Sequence, residues 1–541
     1  MPEEGESPTS SESAAPSTAK AGGIVAATIF LSRILGLVRD SVIAAQFGLL
    51  AVNDSWRIAI RIPDLIFMLI AGGGLSSAFI PVFSEYWHTG RKQEAWRVFS
   101  TVVTVSLMVS LALVVGAWTF ARPLVLIFAQ GKPDEIVENA IHISRVLLPA
   151  QVAFLVGSVF QGTLYARRNY ILPGLAPNIY NLGIIFGATI GASLSGLGIV
   201  SVAWGALIGA TTGSLLIPAI AVFRAGTEFR FSLDLTQPGV KKFFLLLLPV
   251  ILGFSLPSVM TLITQRYASP FGEGVNTVLD YATNLMQAPL GVFGQSMALA
   301  AFPVLSEFYA QGKMGAFREQ LAKSLRTVIF LSVPASVLIG LLALPIVSVL
   351  NGYGAGNNPT QLGNIAHALQ VYSFGIVAWC VQPILMRGFF SMHQTVRPIA
   401  IGTVMTLVYI GICEIIVRLP TASNPFGYFI LPIATNIAVV LMSITLYFTL
   451  QKYAGRLGGS ATGRTLLKSV LASIPLAVVA AIGNLFLNIH SRPLQFMGLG
   501  LVSLIAIWTY YFAARFMKMP ETAYMDRVFD RMQRKKPSAV A

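Results

Sequence analysis

Seven ionisable side chains fall inside two adjacent apolar stretches, SRILGLVRDSVIAAQFG and NDSWRIAIRIPDLIFMLIAGGGLSSAFIPVFS: Arg33, Arg39, Asp40, Asp54, Arg57, Arg61 and Asp64. Each stretch is long enough to cross a bilayer, where a lone Arg or Asp costs roughly 2.5–3.5 kcal/mol on insertion scales. At about 100° per residue, Asp54, Arg57, Arg61 and Asp64 fall on one helical stripe, and Arg33 and Asp40 share a face in the same way. Lipid cannot solvate such faces, so they must look onto protein or a wet cavity. Four arginines stand against three aspartates, which leaves positive charge in the bilayer. The guanidinium fork matches phosphate oxygens two at a time, so the chemistry these residues suit is reception of an anion such as a diphosphate along a transport path. A structural alternative stands beside it, with Arg39–Asp40, Asp54–Arg57 and Arg61–Asp64 neutralising one another as helix-locking pairs.

The elements that must position these groups are membrane helices. Of the 541 residues, 55% are hydrophobic and 11% charged, whereas about a quarter of a soluble domain is charged. Apolar runs of membrane-spanning length recur from Ile24 to Met517. The expected fold is an all-α polytopic membrane protein of fourteen spans, at 24–47, 55–84, 96–121, 141–165, 173–194, 197–223, 241–264, 275–303, 325–350, 364–390, 396–417, 426–451, 465–487 and 493–517. The net charge of +15 reports topology and not nucleic-acid binding, because the basic residues alternate between connections. One side carries Arg91, Lys92, Arg97, Arg167, Arg168, Arg224, Arg230, Lys241, Lys242, Lys313, Arg318, Lys323, Arg326, Arg387, Arg397, Lys452, Arg456, Arg464 and Lys468. The other has Arg122, Lys132, Arg266, Arg418 and Arg492. This asymmetry places both termini in the cytoplasm. Residues 1–23 are acidic at the start and rich in Ser and Pro, which predicts a disordered tail and no signal peptide; residues 518–541 form a basic tail.

The sequence repeats itself. PVFSEYWHTGR (Pro81–Arg91) returns as PVLSEFYAQGK (Pro303–Lys313), Asp54 and Pro63 return as Asp280 and Pro289, and Gly162 and Pro173 as Gly388 and Pro398. Six spans separate the copies, an even number, so the halves are parallel repeats. Spans 1–6 (24–223) then form one lobe and spans 7–12 (240–453) the other, with spans 13–14 (465–517) added. Gly183, Gly187 and Gly191, and Gly205, Gly209 and Gly213, are small-residue ridges suited to close helix packing. Pro63 with Gly72, Gly73 and Gly74 marks span 2 as bendable, either a gating hinge or a static kink.

Catalytic chemistry finds little support. GGSATGRT (Gly458–Thr465) has Arg464 where a phosphate loop needs Lys, and it lacks the preceding strand. The five histidines are scattered, and Cys380 and Cys413 lie inside apolar spans, so no metal site, cofactor or disulfide is expected. The acidic loop GKPDEIVEN (Gly131–Asn139) is expected to be an exposed face.

With SRILGLVRD (Ser32–Asp40), then Phe47–Gly48, Asp54, RIPD (Arg61–Asp64) and AFIPVFSEY, the chain resembles the MurJ/MviN family of lipid II flippases, within the superfamily of multidrug, oligosaccharidyl-lipid and polysaccharide exporters. The resemblance covers nearly the whole chain. It implies a central cavity opening alternately to cytoplasm and periplasm, lined by Arg33, Arg39, Asp40, Asp54 and Arg61, and a groove at the last two helices for a polyprenyl tail. The sequence also departs from the family. A Y-A-D-R-L-M-E-F-P pattern in span 8 reads YATNLMQAP here, with Asn284 at the Arg position and Gln287 at the Glu position; Phe67 and Met68 stand where span 2 is basic. Arg57 lies outside the family pattern and is expected to replace part of that lost charge. The implied activity is translocation of a polyprenyl-diphosphate-linked saccharide, lipid II above all, across the bacterial inner membrane. The partners are that lipid, membrane lipids and a possible coupling ion. A small-molecule/cation antiporter using Asp40, Asp54 and Asp64, and a non-transporting scaffold for cell-wall synthesis, remain the alternatives.

Overall fold

The structure is a computed structural model, and it describes residues 14–70, 74–167, 169–418, 427–487, 491–523 and 526. Every regular element among them is a helix. Ten are long and apolar enough to cross a membrane, or eleven if a pair bent by 49° counts as one span; the chain is a multi-pass helical membrane protein. Expected spans 1 and 7 lie in α1 (Ala14–Phe47) and α13 (Pro238–Ala268), helices of 34 and 31 residues that are not among the ten.

Expected span 2 is not one helix. It breaks at Ile60, between α2 (Ala51–Ala59) and α3 (Arg61–Ile70), and its last described helix is α4 (Gly74–His88). The break has a clear cause in Pro63. Proline has no N–H to bond the carbonyl four residues back, and its ring crowds that carbonyl. The carbonyl is that of Ala59, and it accepts instead from Ser144 Oγ at 2.9 Å. Asp64 N–H still bonds the Ile60 carbonyl at 2.9 Å, so α3 restarts at once. Pro63 thus sits at a break whose released carbonyl is taken by Ser144. Gly72 and Gly73 of the expected hinge lie outside the described residues, and Gly74 is the first described residue of α4.

The chain divides into two compact units, the first holding residues up to Phe47, Ser55–Ala129 and Pro133–Ser258, the second Gly48–Asp54, Gln130–Lys132 and Val259–Ala541. The division falls inside α13, whereas the sequence placed it in the loop before that helix. In the first unit, α4, α5 (Lys92–Thr119) and α8 (Ala150–Ala166) surround an aromatic core of Phe79, Phe83, Trp96, Phe99, Phe160 and Phe243. Phe99 meets Phe160 edge-on at 5.2 Å and Trp96 at 5.4 Å, the geometry that ring quadrupoles favour. At the end of this core, Lys242 Nζ donates to Glu85 Oε2 at 2.6 Å and holds that carboxyl below its usual range.

The glycine ridges pack as their spacing suggests. They lie on α9 (Ile171–Phe186) with its π-helical extension, and on α11 (Val200–Ala210) with the π-helical turn after it. A Cβ on Gly205 would stand 2.2 Å from the Gly183 carbonyl oxygen and 2.9 Å from Gly187 Cα. The two backbones touch, which is possible only without side chains.

In the second unit, α14 (Val275–Pro289) packs on α18 (Pro359–Ser373), and α19 (Ile376–Ser391) packs on α15 (Ser296–Ala310), α16 (Met314–Leu341) and α21 (Ile430–Ala454). The 49° bend lies between α18 and α19; a Cβ on Gly375 at the bend would sit 2.2 Å from Asn436 Oδ1. The helices of expected spans 13 and 14, α22 (Gly459–Phe486) and α23 (Arg492–Phe516), pack on each other and on α16. They share Phe330, Leu476, Ala506 and Tyr510, whose hydroxyl donates to the Phe330 carbonyl at 2.7 Å.

Overpacking a filled helix contact costs about 1–3 kcal/mol. Gly205→Ala is therefore expected to lower the melting temperature of the detergent-solubilised protein, while Gly116→Ala, whose Cβ meets nothing within 4 Å, leaves it unchanged or slightly raised.

Candidate functional site

The break at Ile60 re-aims the charged stripe read from the sequence: Asp54 and Arg57 ride on α2, Arg61 and Asp64 on α3. Asp54 does not line an open face. It is fully buried, and Lys132 Nζ reaches its Oδ2 at 2.7 Å. The same carboxylate accepts from the backbone N–H of Gly274 at 2.7 Å, and from the N–H and hydroxyl of Thr277 at 3.0 and 2.7 Å. These are donors of the first turn of α14, which has no preceding partners of its own. Asp54 thus caps a helix distant in sequence, where its charge also meets the favourable end of the helix dipole. Gly274 at the cap has φ 79°, and a Cβ there would lie 3.1 Å from the Leu49 carbonyl oxygen. Asn53 alongside donates to the Gly48 carbonyl at 2.9 Å.

Lys132 lies in the loop that the sequence suggested was an exposed face. Asp134 and Glu135 are exposed as expected, but the Lys132 side chain is buried and also donates to the Gly272 carbonyl at 2.5 Å. No spacing in the sequence links Lys132 to Asp54.

The remaining charges of the stretch gather in the first unit. Asp40 is buried, and its Oδ1 takes Arg39 Nε and Nη2, both at 3.0 Å, and Arg57 Nη2 at 3.5 Å. Arg39 Nη1 donates to Asn181 Oδ1 at 3.1 Å, and Asn181 Nδ2 donates to the Ser32 carbonyl at 3.2 Å, which fixes the guanidinium against α9. Arg57 and Arg61 are both buried. Arg61 faces Asp64 at 3.7 Å, too long for a hydrogen bond. Arg33 is exposed on α1 and makes none of the ion pairs among the described residues. With Asp54 withdrawn by Lys132, four arginines stand against Asp40 and Asp64 in this unit. The expected Asp54–Arg57 pair is replaced by Asp40–Arg57.

Asp64 is exposed and lines a cleft of about 390 Å³ in the first unit, together with Pro63, Phe67, Gln151, Phe154, Gln161 and Tyr180. Its wall is aromatic, with Phe154 edge-on to Phe67 at 5.7 Å and to Tyr180 at 5.3 Å, and Gln151 Oε1 is buried without a hydrogen-bond donor. A mostly apolar cleft with a few polar groups is what binding sites for organic molecules look like.

In the second unit, Asn284 is half-buried and Gln287 exposed on α14. Asp280, the repeat counterpart of Asp54, is buried and accepts from Gln265 Nε2, whose Oε1 accepts from Asn276 Nδ2 at 2.8 Å. No group of metal-ligating side chains occurs among the described residues, and Cys380 and Cys413 are buried free thiols.

A family model described as "Lipid II flippase MurJ" matches residues 43–504. A probable lipid II flippase MurJ of Bdellovibrio bacteriovorus is 27% identical over 500 residues, covering 91% of this chain and 93% of that protein. One from Thermotoga maritima is 30% identical over 371 residues, 68% of this chain and 73% of that protein. Among solved structures, a lipid II flippase MurJ in an inward closed conformation aligns with a TM-score of 0.72 at 23% identity, over 90% of this chain and 98% of that one. An inward-facing multidrug resistance MATE family transporter aligns at 0.65 and 17% identity, over 78% and 95%. The fold is that of these transporters.

Removing one member of a buried ion pair costs about 3–5 kcal/mol, because the other is left uncompensated. Lys132→Met alone is therefore expected to lower the thermal stability of the purified protein sharply. Adding Asp54→Asn to it should recover much of the loss, since an amide can still accept from Thr277; equal melting of the single and double variants would contradict the pairing.

Proposed function

The chain belongs to the lipid II flippase MurJ family, and on that premise we propose that it carries lipid II, a polyprenyl-diphosphate-linked saccharide, from the cytoplasmic to the outer leaflet of the bacterial inner membrane by alternating access. The observation that carries this reading is the surplus of guanidinium among the intramembrane charges of residues 32–84 that lie in the first unit, four arginines against two carboxylates once Lys132 has taken Asp54. A diphosphate supplies the missing negative charge, and arginine binds its oxygens in pairs. The substrate-binding set proposed in the first unit is Arg33, Arg39, Asp40, Arg57, Arg61 and Asp64. Asp54 moves from binding to scaffold. The apolar body of the lipid suits α22 and α23, whose exposed side chains include Leu467, Leu485, Phe486, Phe496 and Leu501.

Both termini are placed in the cytoplasm by the basic connections. The family is one of transporters and not of catalytic enzymes, and no reaction is assigned. Energy comes from a gradient or from consumption of the product outside; a charge moved through the membrane field is worth about 2.3 kcal/mol per 100 mV. Exchange of cationic drugs fits less well, because Asp40 is already held by two arginines.

Reconstitution with labelled lipid II tests the reading. Wild type should flip the lipid and Arg39→Ala should not. Drug–cation exchange without lipid movement would favour an antiporter, and neither activity a scaffold. Arg57→Ala is expected to abolish flipping, since it removes one of the two guanidinium groups on Asp40; wild-type rates in that variant would show Arg57 to be incidental.

A further inference from the structure

Arg387 was counted in the sequence among the basic residues of a cytoplasmic connection. The structure puts it inside α19, in the span formed by the bent helix pair and short of its end at Ser391. Its neighbours on the helix, Ile384, Leu385 and Phe389, are fully buried. Arg387 itself is half-buried, with its guanidinium carbon 5.1 Å from the ring centroid of Phe302 on α15.

Lying on a ring satisfies the flat face of a guanidinium and leaves its in-plane N–H donors to find acceptors elsewhere. Among the described residues, no carboxylate lies within ion-pair distance of Arg387, and no side-chain or backbone acceptor is bonded to it. Earlier on the same helix, the buried Trp379 Nε1 is a second donor without a hydrogen-bond partner among the described residues. The buried Trp379 donor calls for an acceptor that the protein does not itself supply, while the half-buried Arg387 guanidinium, with nothing among the described residues bonded to it, is open to one.

The internal repeat gives an independent indication. Gly162 and Gly388 correspond, so Gln161 is the first-unit counterpart of Arg387. Gln161 lines the cleft of the first unit. The helix pairs correspond as well, since α8 packs on α4 as α19 packs on α15. Position 161/387 therefore lies, in the first unit, on a helix face turned to a cleft, and in the second the same position carries a cation.

We propose that Arg387 is an anion-binding residue of the second unit and takes a phosphate oxygen of the lipid-linked diphosphate. This rests on the flippase reading and extends it to a residue outside the Ser32–Ser84 stretch.

The test measures binding of lipid II, undecaprenyl diphosphate and phosphate-free undecaprenol to the full-length protein in nanodiscs, for wild type, Arg387→Gln, Arg387→Met and Arg387→Lys. A charged hydrogen bond lost is worth about tenfold to a hundredfold in affinity. Both neutral variants should lose that much for the two diphosphates and nothing for undecaprenol, with melting temperatures near wild type. Arg387→Lys should fall between, having charge but no fork. Wild-type diphosphate affinity in Arg387→Gln or Arg387→Met would overturn the proposal while leaving the flippase reading intact. So would a collapse of thermal stability in both neutral variants, which would make Arg387 part of the scaffold. Failure of the wild-type protein to bind either diphosphate would overturn the reading and the proposal together.

Discussion

Charge inside a bilayer must be answered by charge, by hydrogen-bond donors and acceptors, or by water, because hydrocarbon offers none of these. In this chain the constraint is met in two ways. Asp54 is met completely: an ammonium, two backbone N–H groups and a hydroxyl surround its carboxylate. Such a site has nothing left to offer a ligand, and its work is to hold residues 48–54 and 130–132 against the start of α14. Asp40 is met to excess, since one carboxylate oxygen receives two guanidinium groups. The first arrangement is complete in itself. The second is the one on which the proposed binding role rests.

The sequence displays the imbalance but not its partition. Helical spacing brought Arg33, Arg39, Asp40, Arg57, Arg61 and Asp64 forward because charges in apolar runs stand out whatever the tertiary structure. The glycine ridges were equally plain, since four-residue spacing of glycine has few uses besides backbone contact. Which carboxylate pairs with which cation depended on two things that periodicity does not carry. One is the break at Ile60 beside Pro63, which leaves Asp54 and Arg57 on α2 and Arg61 and Asp64 on α3. The other is long-range contact: Lys132 is far from Asp54 in sequence and sits in a loop whose other charges are exposed. Pro63 was visible and its position meaningful, yet its consequence needed Ser144 from another helix to take the released carbonyl. Arg387 was hidden by its proximity to a helix end, where a basic residue reads as topology.

The same partition bears on how a carrier can let go of what it binds. A ligand shifts a conformational equilibrium only through its differential affinity for the two states, so a site that held diphosphate equally well in both would stall the cycle. If the cluster binds diphosphate as proposed, Asp40 is a built-in competitor for Arg39 and Arg57, since both guanidinium groups already lie against it. A bound diphosphate would then displace that carboxylate, and on release Asp40 would take the arginines back instead of leaving a charge uncompensated in a low-dielectric surrounding. The cost of release is thereby reduced without weakening the initial attraction, because the surplus charge remains. Asn181 serves the same end by fixing Arg39 from the far side, so the guanidinium is pre-oriented and loses little freedom on binding. A lysine at either position would lack the fork to bind Asp40 and the ligand by turns. The use of arginine throughout this cluster, against the lysine that seals Asp54, follows from that difference between a group that must exchange partners and one that must not.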